Sequence, residues 1–163
     1  MAANQPEITV DNLFEAARRP DVLAAMEEFF AETDRLIAQQ PATCWNRGDC
    51  CRFATFGHRL YVTPLEVCYY LAKGGPPRRA AVDACPHAYA GMCHARNRRP
   101  LGCRVFYCDP AAQGWQGPLT EDRLGVLRSL HETLNVPYFY ADWMTVLRAL
   151  TTVSADEITR GRT

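Results

Sequence analysis

Three cysteines fall within eight residues in the stretch CWNRGDCC, Cys44 to Cys51, and two of them are adjacent. Four more, Cys85, Cys93, Cys103 and Cys108, are spread over a second stretch punctuated by proline and glycine. Neighbouring side chains rarely point into one core, so packing does not account for the Cys50-Cys51 pair. Thiolates are soft donors, and metal ligation needs several of them on short, bendable segments that converge to sulfur–metal distances of ~2.3 Å. Both stretches meet that requirement, and the seven loop cysteines are read as metal ligands. The eighth, Cys68, stands three residues from Leu65 and four from Ala72 on the apolar face of an expected helix. It is read as a buried structural thiol.

The spacing bears on which metal is held. Structural zinc sites favour two C-x2-4-C knuckles. The intervals here are five, zero, seven, nine and four residues, and no pair of knuckles is present. Iron–sulfur clusters also take four cysteines, and they accept irregular spacing because their irons span a wider cage. The adjacent Cys50-Cys51 pair suits two irons of one cluster better than one tetrahedral zinc. Arg99 and Arg104 flank Cys103 and are expected to offset the charge of a thiolate-bound cluster and donate hydrogen bonds to its sulfurs. Their plainer role is to cap loop carbonyls or face solvent. The cofactor expected is an iron–sulfur cluster of the 4Fe–4S type, with Zn2+ as the alternative. Four ligands saturate either centre, which leaves three of the seven thiols over. His87 and His94, next to Cys85-Pro86 and Cys93, are further ligand candidates or surface histidines.

Composition sets the background. The chain has 163 residues, 48% apolar and 22% charged, ordinary values for one globular domain with its own core. Lysine plus arginine matches aspartate plus glutamate at 18 each, so charge gives no argument for a nucleic-acid or membrane partner. The basic island RNRRPLGCR, Arg96 to Arg104, and the acidic stretch MEEFFAETD, Met26 to Asp34, read as solvated faces. The N-terminus shows neither the basic nor the apolar region of a secretory signal, and no run approaches the ~18 apolar residues of a membrane span. A cytoplasmic location is expected, where thiols stay reduced and a dense set favours metal over disulfides.

The elements that must position these residues can be read from periodicity and punctuation. A short helix over Thr9–Arg19 ends at Pro20. A second, from Asp21 to about Gln40, carries Val22, Leu23, Met26, Phe29, Phe30, Thr33, Leu36 and Ile37 at three- and four-residue steps. Thr63-Pro64-Leu65-Glu66 spells a capping box with proline at the first helical position, and that helix stops at Gly74-Gly75. Thr120 is read as the cap of a helix to about Asn135, and a last helix is expected from Ala141 to about Leu150. The predicted architecture is mainly α, a single small domain. A helical arm (9–40) precedes a cysteine-cluster core (43–117) whose irregular middle is organised around the metal centre, and a helical pair (119–151) follows. Such a long structureless stretch is normally evidence against a compact domain unless something else orders it, and ligation would do so.

Taken together, CWNRGDCC, the helix start TPLE and CPHAYAGMCHARNRRPLGCRVFYC resemble the YkgJ-like cysteine-cluster family of zinc- or iron-chelating domains. The resemblance runs from about Cys44 to Cys108 and includes Arg99-Pro100 and Cys103-Arg104. The family pattern C-x2-C-x2-C-C has its second cysteine where this chain has Arg47, so a site needing all four thiols of that motif does not form unaltered. The resemblance implies a zinc-binding or iron–sulfur protein, and a related cluster occurs in flagellin lysine methylases. Three functions follow as expectations. The first is an iron–sulfur protein in electron transfer, sensing or structure, with a redox or protein partner. The second is a zinc-stabilised interaction module. The third is a cluster- or thiol-dependent enzyme that modifies protein side chains. No glycine-rich nucleotide loop follows a strand, so a Rossmann-type methyltransferase is not supported.

Overall fold

The computed structural model describes residues 8–44, 59–79 and 82–160, with side chains as far as residue 152. Six α-helices run among these residues: α1 (Val10–Ala17), α2 (Pro20–Ala38), α3 (Pro64–Gly74), α4 (Leu101–Val105), α5 (Gln116–Leu134) and α6 (Trp143–Arg160). Four two-residue strands form two small antiparallel ladders. β1 (Tyr61–Val62) pairs with β4 (Ala141–Asp142), and β2 (Ala88–Tyr89) with β3 (Met92–Cys93). The fold is mainly α, as the periodicity implies. No helix among the described residues is long and apolar enough to cross a membrane.

The first two helices follow their local signals. The Thr9 hydroxyl accepts the Asn12 N–H at 3.3 Å and caps α1, and Pro20 opens α2 from its first position. The apolar stripe of α2 buries Val22, Met26, Phe29, Phe30, Thr33 and Ile37. Helix α3 is the centre of the molecule, because every residue from Pro64 to Leu71 is buried. A helix apolar all round belongs in a core rather than on a surface. Buried side chains of all six helices join one cluster, with Tyr70, Met26 and Leu147 among its largest fully enclosed members.

The later boundaries differ from the sequence expectation for a physical reason. α5 begins at Gln116, one turn before Thr120, whose hydroxyl instead donates to the Gln116 carbonyl at 2.7 Å. Gly117 and Pro118 are tolerated because first-turn N–H groups have no intrahelical acceptor to lose. The helix stops at Asn135, left-handed at φ 52°. α6 runs on to Arg160, past the expected end at Leu150.

The stretch between α3 and α5 is also more structured than its punctuation suggests. β2 and β3 form a hairpin turned by Ala90 (φ 53°) and Gly91 (φ 72°), a two-residue turn with both central residues left-handed. A 3-10 turn at Arg96–Arg98, the short α4 and a second 3-10 turn at Pro110–Ala112 complete it. Arg98 pins the first turn to α3: its guanidinium lies 4.0 Å from the Tyr70 ring centre and donates to the carbonyls of Tyr70 (3.0 Å) and Gly75 (2.6 Å). Gly74 makes room for it, since a Cβ there would come within 2.6 Å of that guanidinium.

Candidate metal centre

The thiols are held by three different kinds of backbone. Cys44 follows the end of α2 and is exposed. Cys85 and Cys93 belong to the hairpin, where the Ala88 N–H donates to the Cys85 carbonyl at 3.0 Å and Ala88 faces Cys93 across the ladder. Cys103 lies in α4, half-buried, and Cys108 follows it on an exposed bend. Cys50 and Cys51 lie outside the described residues, as does Arg47.

Segments far apart in sequence converge beside Cys44. The Thr43 N–H donates to Asp109 Oδ2 at 2.9 Å, so the residue before Cys44 is bonded to the residue after Cys108 across 66 positions. The two N–H bonds to Asp109, from Ala111 and Thr43, hold its carboxyl below the usual carboxylate range. The guanidinium of Arg96 lies 3.9 and 4.0 Å from the Cys44 sulfur. Arg99 braces this turn from behind, donating to the Arg96 carbonyl at 3.2 Å and to the Cys103 carbonyl at 3.3 Å. Later in the sequence than Cys51, the Leu60 carbonyl accepts the Trp143 N–H at 2.8 Å. Leu60 packs so closely on α4 that a Cβ at Gly102 would meet its side chain at 2.1 Å. Both ends of the segment carrying Cys50 and Cys51 are thereby fixed to the stretch that carries Cys103 and Cys108.

The two arginines singled out in the sequence are placed differently from each other. Arg104 is buried and turns toward α2. It donates to Asp34 Oδ2 (2.7 Å) and to the carbonyls of Arg99 (2.8 Å) and Asn97 (3.2 Å), and lies 4.1 Å from the Phe30 ring centre. Arg99 caps loop carbonyls. Arg96, which sequence reasoning left in the basic island, reaches the Cys44 sulfur. Membership of that island was its one signal in the sequence.

The histidines are engaged by their neighbours. His87 Nε2 and Tyr70 Oη are 2.5 Å apart, and burial with the nearby Arg98 charge lowers the imidazole to about 4, so it is neutral. His94 stacks on Tyr89, ring centres 3.5 Å apart, with Nε2 2.9 Å from the Tyr89 carbonyl. A donating Nε2–H there leaves the Nδ1 lone pair of His94 for another partner. Cys68 is fully buried, its thiol donating to the Leu13 carbonyl at 3.6 Å, and burial pushes it up to about 12. It is a packed thiol, as its helical position implied.

Among the described residues alone, no three histidine, cysteine or acidic side chains are disposed to hold a metal ion. Cys44, Cys103 and Cys108 stand on loops or a one-turn helix, and a guanidinium lies beside the first. Comparison with family models, with curated proteins and with solved structures finds no match to this chain. The likeness to the cysteine-cluster family therefore rests on the motifs.

Proposed function

We propose that the protein binds an iron–sulfur cluster through loop cysteines, and that the centre forms where the Cys44–Cys51 segment meets the Cys103–Cys108 segment. The observation that carries the reading is the Thr43–Asp109 hydrogen bond, which joins the two segments at residues next to Cys44 and Cys108. Cys50 and Cys51 would complete the ligand set, since the described donors do not close it by themselves. When bound, the cluster supplies a one-electron centre or a structural clamp. Arg96 holds a positive charge near the thiolates, Arg99 fixes the turn that carries Arg96, and Arg104 anchors that turn on α2. The protein works in a reducing, cytoplasmic setting with a redox or protein partner and without nucleic acid.

Zinc is the second reading, on the donor types near the hairpin. A short two-stranded turn carrying Cys85, His87, Cys93 and His94 offers the mixed sulfur and nitrogen donors that zinc accepts. Anaerobic purification followed by iron, zinc and acid-labile sulfide analysis separates the two. Matching iron and sulfide with broad visible absorption supports the cluster. A colourless protein with one zinc per chain overturns it in favour of the second reading, and a metal-free chain under those conditions overturns both.

A further inference from the structure

A cleft of about 370 Å3 opens between α4, α5 and the β1–β4 ladder, with Cys103 among its lining residues. Three aromatic side chains on its walls stay open to solvent: Tyr61 at 40%, Phe106 at 41% and Tyr140 at 47%. The rings of Tyr61 and Tyr140 are 5.4 Å apart, centre to centre, and tilted by 34°. Exposed rings gathered on one concave surface are unusual, because burying them is strongly favourable.

The charge in the cleft is as distinctive as its rings. Glu66 is 2% exposed and lines the cleft from α3, while Glu121 is exposed at its edge on α5. The Glu66 oxygens accept the N–H groups of Thr63 and Leu101, both at 2.7 Å, and the carboxyl makes no ion pair with the described residues. Neutral donors only partly replace the solvation that a buried carboxylate loses. Burial raises the proton affinity of this carboxyl, and the cation that opposes the rise, Arg104, is itself bonded to Asp34. Burial holds the Tyr140 phenol above its ordinary range, with the Glu66 and Glu121 carboxylates adding to the effect, so both lie within electrostatic reach of that hydroxyl. Arg59 also lines the cleft.

We propose that this cleft binds a small organic cation, an alkylammonium group carried on an apolar body. The ammonium faces the Tyr61 and Tyr140 rings beside the exposed Glu121 carboxylate, and the body packs on Leu101 and Leu124. Ring faces attract such cations most strongly when water is excluded, and apolar pockets of a few hundred cubic ångströms suit small ligands.

The test uses the purified full chain and three probes of one shape: benzyltrimethylammonium, benzyl alcohol and benzoate. Titration followed by amide nitrogen–proton correlation spectra should show saturable shifts at Tyr61, Leu101 and Tyr140 with the cation. The alcohol and the anion should bind at least about tenfold more weakly. Tyr140→Leu, which keeps an apolar side chain but removes the ring, should weaken cation binding about fivefold, and Glu121→Gln should weaken it with the rest of the spectrum unchanged. Tyr61→Leu serves where Tyr140→Leu disturbs the fold. The proposal is overturned if the cation gives no saturable shifts, if benzoate or benzyl alcohol binds as tightly, or if both ring variants bind like the parent.

Discussion

Arg96 brings a guanidinium within 4.0 Å of the Cys44 sulfur, while Arg99 and Arg104 spend their donors on carbonyls and on Asp34. A guanidinium beside a ligating sulfur can donate hydrogen bonds to it and offset the negative charge of the bound centre. Replacing Arg96 by alanine is therefore expected to lower metal affinity by about tenfold or more, the usual scale for losing a partner of a ligand. Chelator competition measures it, and unchanged metal retention would mean that the contact is incidental. Cys68 gives the opposite expectation. Its thiol is enclosed and bonded to the Leu13 carbonyl, so Cys68→Ala should keep full metal content and cost about 1 kcal/mol in denaturant unfolding. Loss of metal from that variant would place Cys68 in the ligand set. The burial of Cys68 was legible because helical position is a local property, whereas the burial of Cys85 in the core and the place of Cys103 in α4 were not. The choice among arginines was not, because it depends on which way the turn at Arg96–Arg98 faces once Arg98 is pinned to α3.

Glu66 ties two elements together. One oxygen takes the Thr63 N–H at the start of α3, and the other takes the Leu101 N–H at the start of α4. Glu66→Gln must turn an amide donor toward one of these N–H groups, and a cost of about 2–3 kcal/mol is expected by chemical denaturation. A variant as stable as the parent would show that desolvation cancels what the bonds contribute. At the end of α5, buried His131 faces the Val136 carbonyl through Nδ1 at 2.9 Å, and its Nε2 has no hydrogen-bond partner among the described residues. Burial lowers its proton affinity below the ordinary 6.5. The unfolded chain then binds the extra proton, so this contribution to stability is complete above about pH 6.5 and is lost as the pH falls below it. His131→Phe should flatten the pH dependence of unfolding by one proton, up to ~1.4 kcal/mol per pH unit, and an unchanged slope would contradict the assignment. The capping box that contains Glu66 was readable as a string of residue types. Its second role at Leu101 was not, and neither was α4, a five-residue helix with almost no period of its own. α4 exists because Leu101 and Val105 are buried and its first N–H finds a carboxylate from another helix.

Over the whole molecule, order comes from two sources of unequal strength. The six helices share one apolar core, whereas the described chain between α3 and α5 holds only a two-residue ladder, two 3-10 turns and α4. Ordering backbone costs ~1–2 kcal/mol per residue, and those elements return few hydrogen bonds against it. Metal bound by thiolates contributes roughly 10–16 kcal/mol in structural zinc sites, and that energy acts as folding energy. Under the proposed centre, not all of the stretch would depend on metal equally. Leu101 and Val105 are 2% exposed, and Arg98 and Arg104 are bonded to α3 and α2, so α4 and the turn before it should persist without metal. The hairpin from Ala88 to Cys93 and the bend from Tyr107 to Trp115 have less to hold them. Amide hydrogen exchange on the metal-free protein is expected to quicken at those two places and to leave α2, α3 and α5 protected. Cys108→Ser should produce the same pattern at the bend, because a hydroxyl is a poor replacement for a soft thiolate. Equal protection with and without metal would make the centre an accessory to a fold that the helices complete alone.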